Sequence, residues 1–232
     1  MKPFINTLKI LKFRWKTLLQ PFLVETELEQ KVFFDLVNAY SRPERFYHNL
    51  QHINQVLEII EQMKSHSLDY IPVQLAAWFH DVIYDPQAQD NEEKSAEYAE
   101  AALYSLKIPQ IIINRVKYLI LTTQNHQALP TDIDNQIFLD ADLSILGATQ
   151  GEYQTYAHAI RQEYSWMSDV DYQIGRQRVL TQFLQRERLY LTDYAYTNFE
   201  KQAKHNLQLE ATDLSLKIKL SREKTDDNTS VF

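Results

Sequence analysis

Apolar residues recur at three- and four-residue spacing along most of the chain, so the pattern predicts helix after helix and no confident strand. In the first segment Leu8, Leu11, Trp15, Leu18 and Leu19 fall on one face. Comparable stripes predict about eight or nine helices, with approximate spans that include 26–40, 49–63, 72–84, 92–106, 135–146 and 169–185. Pro72 and Pro109 suit first helical turns, while Pro43, Pro86 and Pro130 fall in connections. The stretch Ile111 to Leu121 is apolar nearly all round and is expected deep in the bundle. Residues 221–232 are polar, charged and aperiodic, and are expected to form an unstructured tail. The expectation is therefore an all-α helical bundle in one domain over 1–220, a length that supports one substantial core.

Composition narrows the chemistry. There is no cysteine among the 232 residues, so any metal must sit on nitrogen and oxygen, and no disulfide framework exists. Glycine occurs only three times, which leaves no room for a phosphate-cradling GxxxxGK[ST] or GxGxxG loop. The net charge of −7 argues against a nucleic-acid partner. No apolar run reaches the length of a membrane span, and the expected setting is cytoplasmic. Residues 1–24 carry Lys2, Lys9, Lys12, Arg14 and Lys16 with no acid. That segment reads as a first helix packed on the core, with a membrane-surface helix or a targeting peptide as alternatives.

Against this background the histidines and aspartates stand out. His48 and His52 are four residues apart, a spacing that puts both on one face of a helix. His80-Asp81 closes the apolar run Leu75-Ala-Ala-Trp-Phe79, so a carboxylate follows residues bound for the core, where it needs a cation or another partner. His126 and Asp142 follow, each beside a largely apolar helix. Imidazole nitrogens and carboxylate oxygens converging in a helical bundle hold divalent cations. His66, His158 and His205 lack that setting.

These residues also resemble a known family. The order His52, His80-Asp81, Asp142 resembles the HD superfamily of metal-dependent phosphohydrolases, and the stretch from about Trp15 to Leu209 is similar to a bacterial group of predicted HD-type phosphohydrolases. Tyr47-His-Asn-Leu-Gln-His52 is similar to the YHNxxH box of the cyclic-nucleotide phosphodiesterase branch, and Ala141-Asp-Leu-Ser144 to its ADLS box. Further marks are Trp78-Phe-His-Asp-Val-Ile-Tyr-Asp85, Asp90-Asn-Glu-Glu-Lys-Ser95 and Leu139-Asp-Ala-Asp-Leu-Ser-Ile-Leu-Gly147.

The resemblance implies an HD-type bundle that hydrolyses a small-molecule phosphate ester, a nucleotide being the first candidate. It implies metal ligands His52, His80, Asp81 and Asp142, with Asp81 also catalytic and able to bridge two ions. It assigns His48 to proton donation and His126 to a second ion, with a plain loop histidine as the alternative. The implied cofactor is one or two divalent ions drawn from Mn, Fe, Co, Ni, Zn and Mg. Asp140 rivals Asp142 as the last ligand. Glu92, Lys94 and Arg161 are candidate substrate contacts, against the plainer readings of a capped acidic helix start and surface ion pairs; Arg176 and Arg178 share that ambiguity. Two other functions fit the same residues: a di-iron oxygenase, and a non-catalytic nucleotide- or partner-binding module with a structural metal. The oligomeric state is not legible.

Overall fold

The computed structural model describes the backbone of residues 2–229 and the side chains of residues 6–220. It is all-α, with ten α-helices and no strand among the described residues. The chain divides into two compact units, Met1–Asp142 and Leu143–Phe232.

The N-terminal unit contains α1 (Lys2–Leu19), α2 (Thr26–Tyr40), α3 (Leu50–Gln62), α4 (Tyr70–Phe79), α5 (Asn91–Ser105), α6 (Gln110–Thr122) and α7 (Ile133–Asp142). Its core is aromatic. Trp15 of α1 meets Trp78 of α4 edge-on at 5.3 Å between ring centroids, Phe33 of α2 reaches Trp78 at 6.2 Å, and the Tyr40 hydroxyl donates to the Trp78 carbonyl at 3.0 Å. The stripe predicted for the first helix packs as expected: Leu11, Trp15, Leu18 and Leu19 are buried. The expectation for α6 is corrected. Ile113, Val116, Leu119 and Ile120 are buried, but Ile111 is 80% and Leu121 41% exposed, so the helix is amphipathic and covers one face of the core.

Three helix ends position the site. The pattern predicts α4 running on to Tyr84, whereas it ends at Phe79, with His80 as its cap and Asp81 in the following turn. The carbonyls that would continue the helix are held by side chains from elsewhere: Arg45 binds those of Asp81 and Val82, and Ser95 of α5 bonds both the amide and the carbonyl of Ile83. The helix predicted over 135–146 likewise stops at Asp142 and tightens into a 3-10 turn, Leu143–Gly147. At the other end of α7, Asp134 accepts from Ser67 Oγ and from the amides of Leu68 and Asp69, which fixes the segment leading into α4.

The C-terminal unit contains α8 (Gln150–Glu163), α9 (Asp169–Leu184) and α10 (Asp193–Thr229) around Leu146, Tyr153, Leu180, Tyr190 and Leu207. Thr149 and Glu152 form a reciprocal capping box at the start of α8. Gly147 is fixed by space: an added Cβ would stand 2.8 Å from the Phe199 carbonyl oxygen and 2.9 Å from its Cα. The backbone of α10 continues to Thr229, into the segment expected to be an unstructured tail. Side chains beyond 220, and residues 230–232 altogether, lie outside the described residues. No described helix is long and apolar enough to cross a membrane.

Candidate metal centre

Asn49 sets the entrance to α3. Its Oδ1 accepts from the Gln51 amide at 2.8 Å and its Nδ2 donates to the Phe46 carbonyl at 2.9 Å, so the helix starts at Leu50. This overturns the expectation that His48 and His52 share a helical face, because His48 lies in the turn before the cap and His52 in the first turn of the helix. The turn nevertheless returns His48 to the neighbourhood, its ring 5.9 Å from that of His52.

His52 and His80 are almost fully buried and turn their Nε2 atoms toward each other at 3.1 Å. Asp142 Oδ1 lies 3.2 Å from His52 Nε2 and 3.3 Å from His80 Nε2, while Asp81 Oδ2 lies 3.6 and 3.0 Å from the same two atoms. Asp81, after the end of α4, and Asp142, at the end of α7, thus each turn an oxygen to the same pair of imidazole nitrogens. His80 Nδ1 is 3.0 Å from the Ala77 carbonyl, and only a protonated Nδ1 makes that hydrogen bond. In the neutral ring Nε2 is then the lone-pair side, which is how backbone partners orient metal-binding histidines.

Two imidazole nitrogens and two carboxylates cost free energy in a core unless positive charge sits among them. Their mutual attraction favours the charged form of all four groups. Burial alone would depress both histidines, but Asp81 and Asp142 outweigh it and raise His52 above, and His80 well above, the ordinary imidazole value. Burial alone would likewise raise Asp81 and Asp142, yet the facing histidines, His80 foremost, hold both well below the usual carboxylate range. The donor set fits a divalent cation, which would compete with imidazole protons: His52, His80 and Asp81 could hold one, and an Asp142 oxygen lies within 3.3 Å of both imidazole nitrogens. Side-chain exposure rises from 1% and 3% at His80 and His52 to 12% and 20% at Asp142 and Asp81, so the centre opens on its carboxylate side.

The remaining candidates divide. Asp142, not Asp140, turns an oxygen to both histidines, and Asp140 is buried one helical half-turn away. His126 Nε2 meets the other oxygen of Asp142 at 3.0 Å. His126 holds a left-handed backbone, φ 48°, rare for a residue with a side chain and most frequent where surroundings impose it. Glu92, at the start of α5, is half-buried; burial raises its carboxyl, and the charge of Asp81 pushes the same way. Lys94 is exposed and pairs with Asp90 at 2.9 Å. Arg161 lies in the C-terminal unit, bonded to the Tyr164 and Met167 carbonyls and to Asp169. Arg176 forms a two-pronged pair with Glu210, and Arg178 is exposed.

Two contributors escape the sequence pattern. Arg45, only 6% exposed, donates to the carbonyls of His48, Asp81 and Val82 at 3.1, 2.6 and 2.9 Å. One guanidinium thus ties the His48 turn to the backbone of Asp81. Tyr84 stacks on His48 at 4.1 Å, on a loop closed by reciprocal bonds between Asn91 and the Asp85 backbone. The signal available in the sequence is that Arg45 stands in a non-helical connection just ahead of the histidine box. No protein-family model matches this chain, and no curated protein does either.

Proposed function

We propose that the chain is an HD-type, metal-dependent phosphohydrolase acting on a small-molecule phosphate ester, with a nucleotide as first candidate. The observation that carries the reading is the convergence of His52, His80, Asp81 and Asp142 on one point with the His48 imidazole beside them. A divalent ion held there would lower the pKa of a bound water and polarise a phosphoryl oxygen; the mixed nitrogen and oxygen set suits Mn, Fe, Co, Ni, Zn or Mg. His80, oriented by the Ala77 carbonyl, and His52 fix the buried side of the centre, and the two carboxylates face the open side where an ester can approach. His48, braced by the Tyr84 ring and by Arg45 at its carbonyl, is the group assigned to protonate the departing oxygen. His126 orients Asp142 through its second oxygen.

The same His126–Asp142 contact favours one rival, an oxygenase in which His126 binds a second iron. Anaerobic iron loading with a paramagnetic or visible di-iron signal would establish that reading in place of hydrolysis.

The test of the main reading loads the protein with each ion and screens phosphate mono- and diesters. His52→Ala should lose metal and turnover together. His48→Ala should keep the metal and lose about 10²–10⁴-fold in turnover on nucleotides, with a much smaller loss on p-nitrophenyl esters, whose leaving group needs little protonation. Loss of metal from His48→Ala would make His48 a ligand, and tight nucleotide binding without turnover under any ion would make the chain a binding module.

A further inference from the structure

The outward face of α1 does not belong to the metal centre, and it has a consistent chemistry. Lys9, Lys12 and Lys16 are spaced three and four residues apart, Phe13 lies four residues from Lys9 and three from Lys16, and the four share one side of the helix and are all exposed. The three lysines form no ion pair among the described residues. Phe13 is 72% exposed in their midst, and Leu23, just past the helix, is 91% exposed. Phe13 is a ridge between two grooves. One, of about 700 Å³, runs along Ile10, Phe13, Leu18, Pro21 and Ile71, with Lys9, Arg14 and Lys64 among its polar lining. The other, of about 480 Å³, lies between Phe13, Lys16, Leu19 and Leu23.

The acids lining these grooves are Glu61 and Glu29, and Glu61 already accepts from the Tyr70 hydroxyl and lies 3.5 Å from Lys64. Residues 1–24 contain five basic residues and no acid, so the acidic excess of this chain of net charge −7 falls entirely outside the segment. Lysines flanking isolated, protruding apolar side chains are the make-up of a surface that meets anionic headgroups and dips into acyl chains. A polyanion such as nucleic acid would use the lysines but leave Phe13, Leu23 and the grooves without a role. We propose that this face of α1 docks the protein on an anionic lipid surface, with Lys9, Lys12 and Lys16 at headgroup level and Phe13 and Leu23 between the chains. The inference is independent of the metal centre.

The test is co-sedimentation of the full chain with phosphatidylcholine vesicles, with and without one-third phosphatidylglycerol. The expected result is retention by the anionic vesicles alone, lost as salt rises from roughly 0.1 M toward 0.5 M. A lysine near an anionic surface contributes about fivefold, so Lys9→Gln/Lys12→Gln/Lys16→Gln should weaken partitioning by about two orders of magnitude, and Phe13→Ser by about tenfold. All four side chains are exposed, so helix content and metal content should match the parent protein. Absence of retention by anionic vesicles, equal retention by neutral ones, or retention indifferent to the lysine variant or to Phe13→Ser would each overturn the proposal. So would Phe13→Ser dissolving a dimer of a protein that vesicles do not retain, since the face would then be an interface between copies.

Discussion

In the C-terminal unit the buried guanidinium of Arg176 meets Glu210 through two donors at 2.8 and 3.0 Å, and the Tyr153 hydroxyl completes the carboxylate at 2.5 Å. In the N-terminal unit two carboxylates and two imidazoles crowd one point with no side chain of fixed positive charge among them. Both units bury charge, but the first arrangement is complete in itself, because a planar fork matches a carboxylate in number and direction. The second has only titratable imidazoles facing its carboxylates. That difference sets a self-sufficient packing cluster apart from one whose donors could hold an ion.

The largest effect should come from breaking the complete cluster. Arg176→Met leaves Glu210 buried without its cation and should cost about 3–5 kcal/mol in denaturant unfolding. Arg176→Met/Glu210→Leu should recover most of that loss, and molecules that remain folded should bind metal as the parent does. Metal loss in either variant would break the comparison.

Arg45→Ala should have the next largest effect. Arg45 is a buried cation of the same unit, yet its donors go to three carbonyls and to none of the site carboxylates. Stripping those carbonyls of their donor should cost about 2–3 kcal/mol and lower metal affinity by about tenfold to a hundredfold through the displaced Asp81 turn. Arg45→Lys should not restore either, because an ammonium cannot span the three acceptors. Calorimetric titration with metal and a denaturation curve on each variant measure both quantities.

The location of the site was legible in part because its residues interrupt apolar runs: the pair His80-Asp81 directly after Trp78 and Phe79 marks a carboxylate at the edge of the core. The packed face of α1 was legible because local spacing decides it. The ends of α4 and α7 were not, since long-range partners hold the turns that follow them, Ser95 and Arg45 after α4, and Tyr190 and Asn206 on the Leu143 and Leu146 carbonyls after α7. The four-residue spacing of His48 and His52 suggested a shared helical face, but the helix expected over 49–63 does begin after His48, at the Asn49 cap. The exposed faces of α6 were misjudged because Ile111 and Leu121 spend their hydrophobicity on the surface, which no composition rule forbids.

A smaller effect should appear on titration. With His80 raised well above its ordinary value, the stability its protonation contributes to the metal-free protein is fully present below the unfolded imidazole pKa and is lost as pH rises through the folded one. With Asp81 and Asp142 lowered, their contribution is present above the unfolded carboxylate pKa and lost as pH falls through the folded values. A metal ion competes with the imidazole protons, so affinity should rise with pH by up to about tenfold per unit for each proton displaced, until the imidazoles are neutral. Titrations in buffers of different ionisation enthalpy should register the released protons. A pH-independent affinity would mean that the ion binds elsewhere.

The most direct test of the account is the metal content of the protein after equilibrium dialysis against Mn, Co or Zn, compared with His80→Ala and with His66→Ala, whose imidazole is exposed and outside the cluster. The account predicts at least one tightly held ion per chain in the parent and in His66→Ala, and none in His80→Ala. A parent protein that retains no ion, or a His80→Ala variant that retains as much as the parent, would contradict it.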